Sequence, residues 1–413
     1  MKANSASLPT FIDLAIVGAG PHALTLVTHL LQKRQHLHNR FLVFDKSGTW
    51  LQQWQQQFAA FEIPHLRSPA VHHPDPNPYA LRRFAQCRPD ELFPPYDLPG
   101  TKLFQDFCSD VIERWQLQER VIKAGVSRIE PLPHPLRPRF RVWLQTGQSI
   151  VARRVVLATG GGEPQLPDWV NQIQSKYPQD RLCHSQQVNL HGLQLAGERV
   201  LIVGGGLTSG HLAVGAIARG AKVLLIARRQ LQAKLFDADP GWLGPKYLKG
   251  FWAESDWEKR AQLIQQARNG GSLTPAMMTQ LLKHSRNARL RLDENCQVVK
   301  AEWSNNRWLV KCSNGEEHEC DRLWLATGTR MNVTAQPLLQ EALQSYLVPV
   351  VNGLPVVDDR LRLPGSELFL LGGLSALQVG PVARNLSGAR MASSRIVPAL
   401  TKSSVALSSA RSA

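Results

Sequence analysis

Two short glycine-rich runs are places where bare backbone could meet a phosphate. Gly18-Ala19-Gly20-Pro21-His22-Ala23 follows an apolar run ending at Val17, and Gly204-Gly205-Gly206-Leu207-Thr208-Ser209 follows one ending at Val203. Each is closed later by the same triplet, Ala158-Thr159-Gly160 and Ala326-Thr327-Gly328. A strand feeding Gly-x-Gly-x-x-Gly/Ala and then a helix aims peptide N–H groups and a positive helix end at a pyrophosphate. Gly18 permits the tight turn, Gly20 lets the phosphate approach, Pro21 opens the helix and Ala23 lets it pack against the strand. Asp45, with Lys46 after it, ends the next apolar run, where a carboxylate can accept ribose hydroxyls.

The second run differs where the difference carries chemistry. Ser209 stands where a third glycine is usual, and its hydroxyl, like that of Thr208, could reach a phosphate. After Leu224-Leu225-Ile226 the acidic position is filled by Ala227, and Arg228-Arg229 follow. A carboxylate there would repel a 2′-phosphate, whereas paired guanidinium groups can grip one bidentately. The second site therefore reads as NADPH and the first as a different dinucleotide, which points to a flavin reduced by a nicotinamide. The glycines of the two triplets, Gly160 and Gly328, belong to the same two sites.

These residues need strands and helices in a fixed order. Leu14–Val17 reads as a strand, the following stretch as a helix with Leu24, Val27, Leu30 and Leu31 on one face, and Phe41–Phe44 as a second strand. Trp50 to Tyr96 shows no clear period and holds Pro64, Pro69, Pro74, Pro76 and Pro78, so it is expected to be an irregular functional loop or lid. Leu103–Trp115 reads as a helix. Arg128–Leu132, Phe140–Leu144 and Ser149–Val151 read as a small antiparallel insertion running into the apolar strand before Gly160. The second unit repeats the pattern with Val200–Val203, Thr208–Arg219 and Lys222–Ala227. Residues 230–290 read as an insertion, a hairpin is expected around Asn305-Asn306, and Arg322–Ala326 closes the unit. Phe369-Leu370-Leu371 and a helix from Pro381 to Ile396 follow.

Composition narrows the function classes. The chain has 413 residues, 43% of them hydrophobic, enough for two or three domains. Its six cysteines, at 87, 108, 183, 296, 312 and 320, form no Cys-x-x-Cys, so a dithiol centre, a zinc motif and a disulfide framework find no support. A reducing, cytoplasmic compartment is expected. No signal peptide and no spanning run of 18 apolar residues is read. The net charge of +16 is dispersed apart from knots such as Arg153-Arg154, which reads as a solvated surface favouring anionic cofactors rather than a nucleic-acid groove. His72-His73 with Asp75 is read as surface, not as a metal site, because adjacent strand residues point to opposite faces. No Gly-x-Ser-x-Gly or His-Glu-x-x-His is present, so hydrolase chemistry has no motif.

Taken together, these parts resemble the two-dinucleotide-binding flavoproteins, over roughly residues 11 to 397. Within them the chain is most similar to the N-hydroxylating lysine and ornithine monooxygenases, through Asp321-Arg322-Leu323-Trp324-Leu325-Ala326-Thr327-Gly328 and Gly380-Pro381-Val382-Ala383-Arg384-Asn385. The resemblance implies an α/β fold of two Rossmann-like domains, with the FAD domain interrupted by an inserted NADPH domain and carrying small antiparallel β insertions. The expected boundaries are 1–10 for a flexible start, 11–195 and 331–398 for the FAD domain, 196–330 for the NADPH domain and 399–413 for a disordered tail. It further implies that Trp50 lies along the FAD, with core packing as the other reading. Gly373 would stand at the flavin, and the helix beginning at Pro381 would face the flavin ring. His65 and Arg67 would line a substrate pocket or, for Arg67, anchor the loop. A small amine would be hydroxylated by oxygen through a peroxyflavin, with no side chain named as catalytic and a homo-oligomer possible. Departures from relatives are visible. His184 has Pro178 and Asp180 where a Phe-x-Gly-x-x-x-His signature has Phe and Gly, and Gly372-Gly373 replaces a Gly-Asp pair. A quinone-type reductase and a non-catalytic FAD-binding regulator are the other readings of this architecture.

Overall fold

The computed structural model describes residues 8–133, 139–268 and 270–402. Two sheets organise them. In the first, the strands run in the order Val121–Lys123, Phe41–Asp45, Phe11–Val17, Ser149–Leu157, Arg139–Leu144 and Val126–Leu132. The strand Leu368–Leu370 also pairs with Ser149–Leu157, in parallel, through Val155, Val156 and Leu157. The second sheet is wholly parallel, in the order Leu182–His184, Arg322–Leu325, Arg199–Val203, Lys222–Ala227 and Leu290–Glu294. A strand covered on both faces reads as a continuous apolar run, and Leu14–Val17 and Arg322–Leu325 are buried throughout. The first and second glycine runs lead into the helices Pro21–Lys33 and Leu207–Ala218. A separate antiparallel sheet is made by Val298–Ser304, Arg307–Cys312 and Glu317–Cys320. Its first turn is Asn305-Asn306, both at positive φ (51 and 62), as a two-residue hairpin requires.

Several expectations change. The stretch 50–96 is not irregular throughout: Gln52–Ala60 is a helix and Ala80–Phe84 a short one. Glutamine is a good helix former, and Trp54 and Phe58, four residues apart, pack with ring centroids 4.1 Å apart. The insertion runs into the strand before Gly160 as expected, but without a break. Residues 149–157 form one strand whose first half pairs antiparallel with Arg139–Leu144 and whose second half pairs parallel with Leu368–Leu370. The strand Leu182–His184 lies within 11–195 yet joins the second sheet, and Leu290–Glu294 runs on from the insertion read at 230–290.

The helix expected from Pro381 is broken. A 3-10 turn spans Pro381–Arg384, Asn385 is extended, and an α-helix runs from Leu386 to Thr401, so residues 399–401 are helical. Residues 403–413 of the expected tail, and most of the expected flexible start, lie outside the described residues.

Two surface readings also fail. His73 and Asp75 are buried: Asp75 pairs with Arg114 at 3.0 Å and His73 packs edge-on against Phe107. Arg154 is buried as well, where its guanidinium Nε meets Glu367 at 2.7 Å.

Candidate functional site

The two glycine turns are built alike, atom for atom. Gly18 donates its N–H to Phe44 O at 2.8 Å and Gly204 donates to Ile226 O at 2.9 Å. The alanine of each triplet reaches back to the strand before the turn, Ala158 N to Val17 O and Ala326 N to Val203 O, both at 2.8 Å. The alanine carbonyl then lies against the first glycine. A Cβ on Gly18 (φ +99) would sit 2.6 Å from Ala158 O, and one on Gly204 (φ +146) 2.4 Å from Ala326 O. Each Ala-Thr-Gly thus closes its own turn, and no residue but glycine fits beneath it.

The second glycine of each turn faces the other way. Around Gly20 and Gly206 a Cβ would meet no protein atom within 4 Å. These two residues are the N-caps of the helices Pro21–Lys33 and Leu207–Ala218, which have no side-chain cap and no acidic residue in the first turn. Their leading N–H groups point into space that only glycine leaves open, which is the cradle a pyrophosphate fits. Gly160 and Gly328, both at positive φ (59 and 82), likewise meet nothing within 4 Å of a built Cβ.

Behind the first turn, Asp45 ends its strand as expected. Its Oδ2 accepts from Ala19 N at 3.0 Å, and its Oδ1 accepts from Ser47 N at 2.9 Å and Ser47 Oγ at 2.6 Å. Lys46 beside it is exposed. His22 is tied to the C-terminal segment through Nε2 and Ala383 O at 3.1 Å. Burial holds its pKa below the usual range, partly offset by the carbonyls of Ala383 and Asn385. Gly373 is packed against Met331, whose side chain would lie 2.8 Å from a built Cβ. Pro381 is buried, and its carbonyl accepts from Arg268 at 2.9 Å.

Behind the second turn, Ser209 is fully buried and its hydroxyl donates to Gly206 O at 2.6 Å. Its expected contact with a phosphate is therefore corrected: the serine packs the helix onto the strand, as Ala23 does in the first turn. Thr208 is half-buried beside it. Arg228 and Arg229 are exposed directly beyond the strand Lys222–Ala227. Gly270 and Gly271 complete this face. A Cβ on Gly270 would lie 3.1 Å from an Arg229 nitrogen, and one on Gly271 3.2 Å from Gly206 Cα. Sequence reasoning missed this pair; its signal was the doubled glycine after a helix.

Three further residues of the expected sites have protein contacts of their own. Trp50 is buried, and its indole N–H donates to Leu117 O at 2.9 Å, so core packing holds it. Arg67 spends its fork on the second unit, donating to Leu235 O (2.9 Å), Lys234 O (2.7 Å), Ser272 O (3.3 Å) and Ser272 Oγ (2.7 Å). These are the contacts of a loop anchor. His65 stacks on Phe93 at 5.0 Å. His211, on the second turn's helix, is held down to about 4 by burial and then by the nearby His65.

His184 and Asp321 also find places. His184 Nε2 lies 3.1 Å from Gly328 O, so it braces the second triplet. Asp321 lies at the opposite end of its strand, where Oδ2 accepts from Arg199 N at 2.7 Å. It latches two strands of the sheet and is remote from the turn.

A family model described as L-lysine 6-monooxygenase/L-ornithine 5-monooxygenase matches residues 102–331, more than half of the chain. The chain belongs to this family. A second model, FAD-NAD(P)-binding, matches residues 15–162, across the first glycine turn and its triplet. Members of this flavin monooxygenase family are oxidoreductases, and the cofactors are FAD and NAD(P).

Among solved structures, the ornithine N-hydroxylase of Kutzneria sp. 744, with reduced FAD, NADP+ and L-ornithine, superposes with a TM-score of 0.76 at 18% identity, covering 95% of this chain and 99% of that one. The cadaverine monooxygenase DfoA of Erwinia amylovora, bound to FAD, gives 0.75 at 15% identity, covering 95% of each. In sequence, the indole-3-pyruvate monooxygenase YUCCA1 of Oryza sativa subsp. japonica is 26% identical over 219 residues, 47% of this chain and 51% of that protein. The match therefore spans about half the length of that curated relative. No helix among the described residues is long and apolar enough to cross a membrane.

Proposed function

We propose that the chain is an FAD- and NADPH-dependent monooxygenase that hydroxylates the nitrogen of a small amine. The observation that carries the two-cofactor part is the repeated turn, in which an alanine carbonyl locks one glycine while the next opens its N–H groups to a phosphate. Bound flavin, reduced by the nicotinamide, supplies the activation of oxygen; the protein supplies binding, orientation and exclusion of water. In this reading Gly18, Gly20, Pro21, Ala23, Asp45 and Gly160 hold the FAD, with Gly373 and Pro381 closing on it from the C-terminal segment. Gly204, Gly206, Thr208 and Gly328 hold the nicotinamide dinucleotide. Arg228 and Arg229 select a 2′-phosphate, which two exposed guanidinium groups at that strand end favour over a ribose hydroxyl. The amine substrate is supported by family membership, and the sequence has no Cys-x-x-Cys that could take the flavin's electrons instead.

The test is turnover of the FAD-loaded chain with NADPH, oxygen and a panel of lysine, ornithine and simple diamines, with product hydroxylamine and peroxide both measured. Hydroxylamine formed in proportion to NADPH consumed is the expected result. Turnover only with quinones would replace this reading with that of a reductase, and bound flavin without turnover by any acceptor with that of a binding protein.

A further inference from the structure

Away from both nucleotide turns, three metal-binding side chains meet. Asp293 lies on Leu290–Glu294, the edge strand of the parallel sheet, while Glu316 just precedes and His318 lies on Glu317–Cys320, the last strand of the antiparallel sheet. One ligand atom from each falls within 4.8 Å of the other two, the one such grouping among the described residues. His318 Nε2 is 3.6 Å from Asp293 Oδ2 and 3.5 Å from Glu316 Oε2. Those separations are too long for hydrogen bonds. They are close to the edge, about 3.4 Å, of a tetrahedron with metal–ligand bonds of about 2.1 Å.

Two of the three atoms have no hydrogen-bond partner. Asp293 Oδ2 and His318 Nε2 are buried with no hydrogen-bond partner, in side chains only 10% and 12% exposed. Buried polar atoms are almost always satisfied, so two orphans aimed at each other mark a ligand. Arg291 steadies the carboxylates from outside: its Nε donates to Asp293 Oδ1 at 2.8 Å and its Nη2 to Glu316 Oε2. It offsets one of the two negative charges, and a divalent ion would offset the other. No cysteine sulfur joins the grouping, so the donors are nitrogen and oxygen.

We propose that Asp293, Glu316 and His318 bind a divalent first-row transition ion of the zinc class, which pins the antiparallel sheet to the edge of the parallel one. Asp293 pairs in register with Ile226, one residue before Ala227 and the exposed arginines, so the ion would stiffen the strand that presents them. One carboxylate-histidine-carboxylate set suits zinc or its neighbours better than magnesium or calcium, which favour all-oxygen shells.

The experiment uses the full FAD-loaded chain after chelator treatment. Zinc is titrated by calorimetry and cobalt(II) by its visible spectrum. One zinc per chain is expected, with cobalt giving the strong bands of a four-coordinate nitrogen-oxygen site. His318→Gln and Asp293→Asn should each weaken zinc at least tenfold, while Cys296→Ser and Cys312→Ser leave it unchanged. The cobalt spectrum of the unaltered chain tests the site even where a variant fails to fold. No stoichiometric uptake would mean that the three side chains meet without a metal. Uptake unchanged in His318→Gln, or lost only in the cysteine variants, would likewise overturn the site.

Discussion

Gly20 and Gly206 have backbone angles any residue can adopt, with φ −79 and −102, and a methyl group on either meets no protein atom. Gly18 and Gly204 are the reverse, locked by an alanine carbonyl and by positive φ. This contrast separates folding from binding. Gly20→Ala should keep stability within about 0.5 kcal/mol of the parent, since open-site substitutions cost little. It should nevertheless weaken FAD at least tenfold, because the methyl occupies the phosphate's approach. Gly18→Ala should cost about 2 kcal/mol or more, by forcing a positive φ and a carbonyl clash. Thermal melts with flavin titration decide: equal damage to stability from both would refute the assignment of Gly20. For the second turn the discriminating residues are charged. Arg228→Ala combined with Arg229→Ala should raise the KM for NADPH at least tenfold and leave that for NADH within about twofold, since a charge-assisted hydrogen bond is worth about 1.5–3 kcal/mol. Equal shifts for both coenzymes would rule out a 2′-phosphate grip.

Elements far apart in sequence are joined by a buried ion pair. Arg154, on the strand leading to the first Ala-Thr-Gly, donates to Glu367 at 2.7 Å, to Leu400 O at 3.0 Å and to Lys402 O at 2.9 Å. Glu367 is held from its other side by Arg362 at 3.2 Å. One guanidinium thus fastens the returning C-terminal strand and the end of the last helix to the first sheet. Breaking a buried pair from one side costs about 3–5 kcal/mol. Arg154→Met should therefore lower the stability read from urea unfolding by about 3 kcal/mol, and a loss under 1 kcal/mol would show that the pair is incidental. The sequence could not reveal this role. Arg153-Arg154 reads as a surface knot because a partner 213 residues away leaves no local trace. What was legible was local chemistry: glycine turns, the acid or arginines after each second strand, and apolar strands of the right length. What was not legible came from convergence. Gly271 meets Gly206, His211 lies near enough to His65 to feel its charge, and strand Leu290–Glu294, with three charged residues among its five, showed its identity only beside Lys222–Ala227. Asp321 was visible as a motif, but its task, holding Arg199 N, depends on where the neighbouring strand begins.

At the scale of the molecule, the two units are bound through the loop after Gln52–Ala60. Phe61 is buried in the second unit's core, Ala60 O accepts from Leu190 N at 2.8 Å, and Arg67 holds residues 234, 235 and 272. Both units also contain histidines that burial keeps neutral. His29 and His73 in the first and His211 in the second are all held down to about 4, chiefly by desolvation. Arg390 lowers His29 and His73 further, while Asp75 and a backbone carbonyl oppose it for both. The sign follows from proton counts. Above an unfolded pKa of about 6.5 neither state protonates these rings. Between there and about 4 the unfolded chain binds protons that the folded chain refuses, so stability falls as pH falls. Each ring contributes on the order of 1–3 kcal/mol by the end of that window, against a typical total of about 5–15 kcal/mol. Three carboxylates act in a lower pH window. Glu62 and Glu91 are lowered chiefly by bonds to arginine, and Asp106 by Lys102 and Arg88 against its desolvation, so their losses come at more acidic pH. Each added proton also raises a net charge already at +16. Urea unfolding of the flavin-loaded chain at pH 7.5, 6 and 5 should therefore show a loss of several kcal/mol. Substituting His29, His73 and His211 together by glutamine should flatten that slope even if it lowers stability at pH 7.5. A slope unchanged in the triple variant would assign acid lability elsewhere in the molecule.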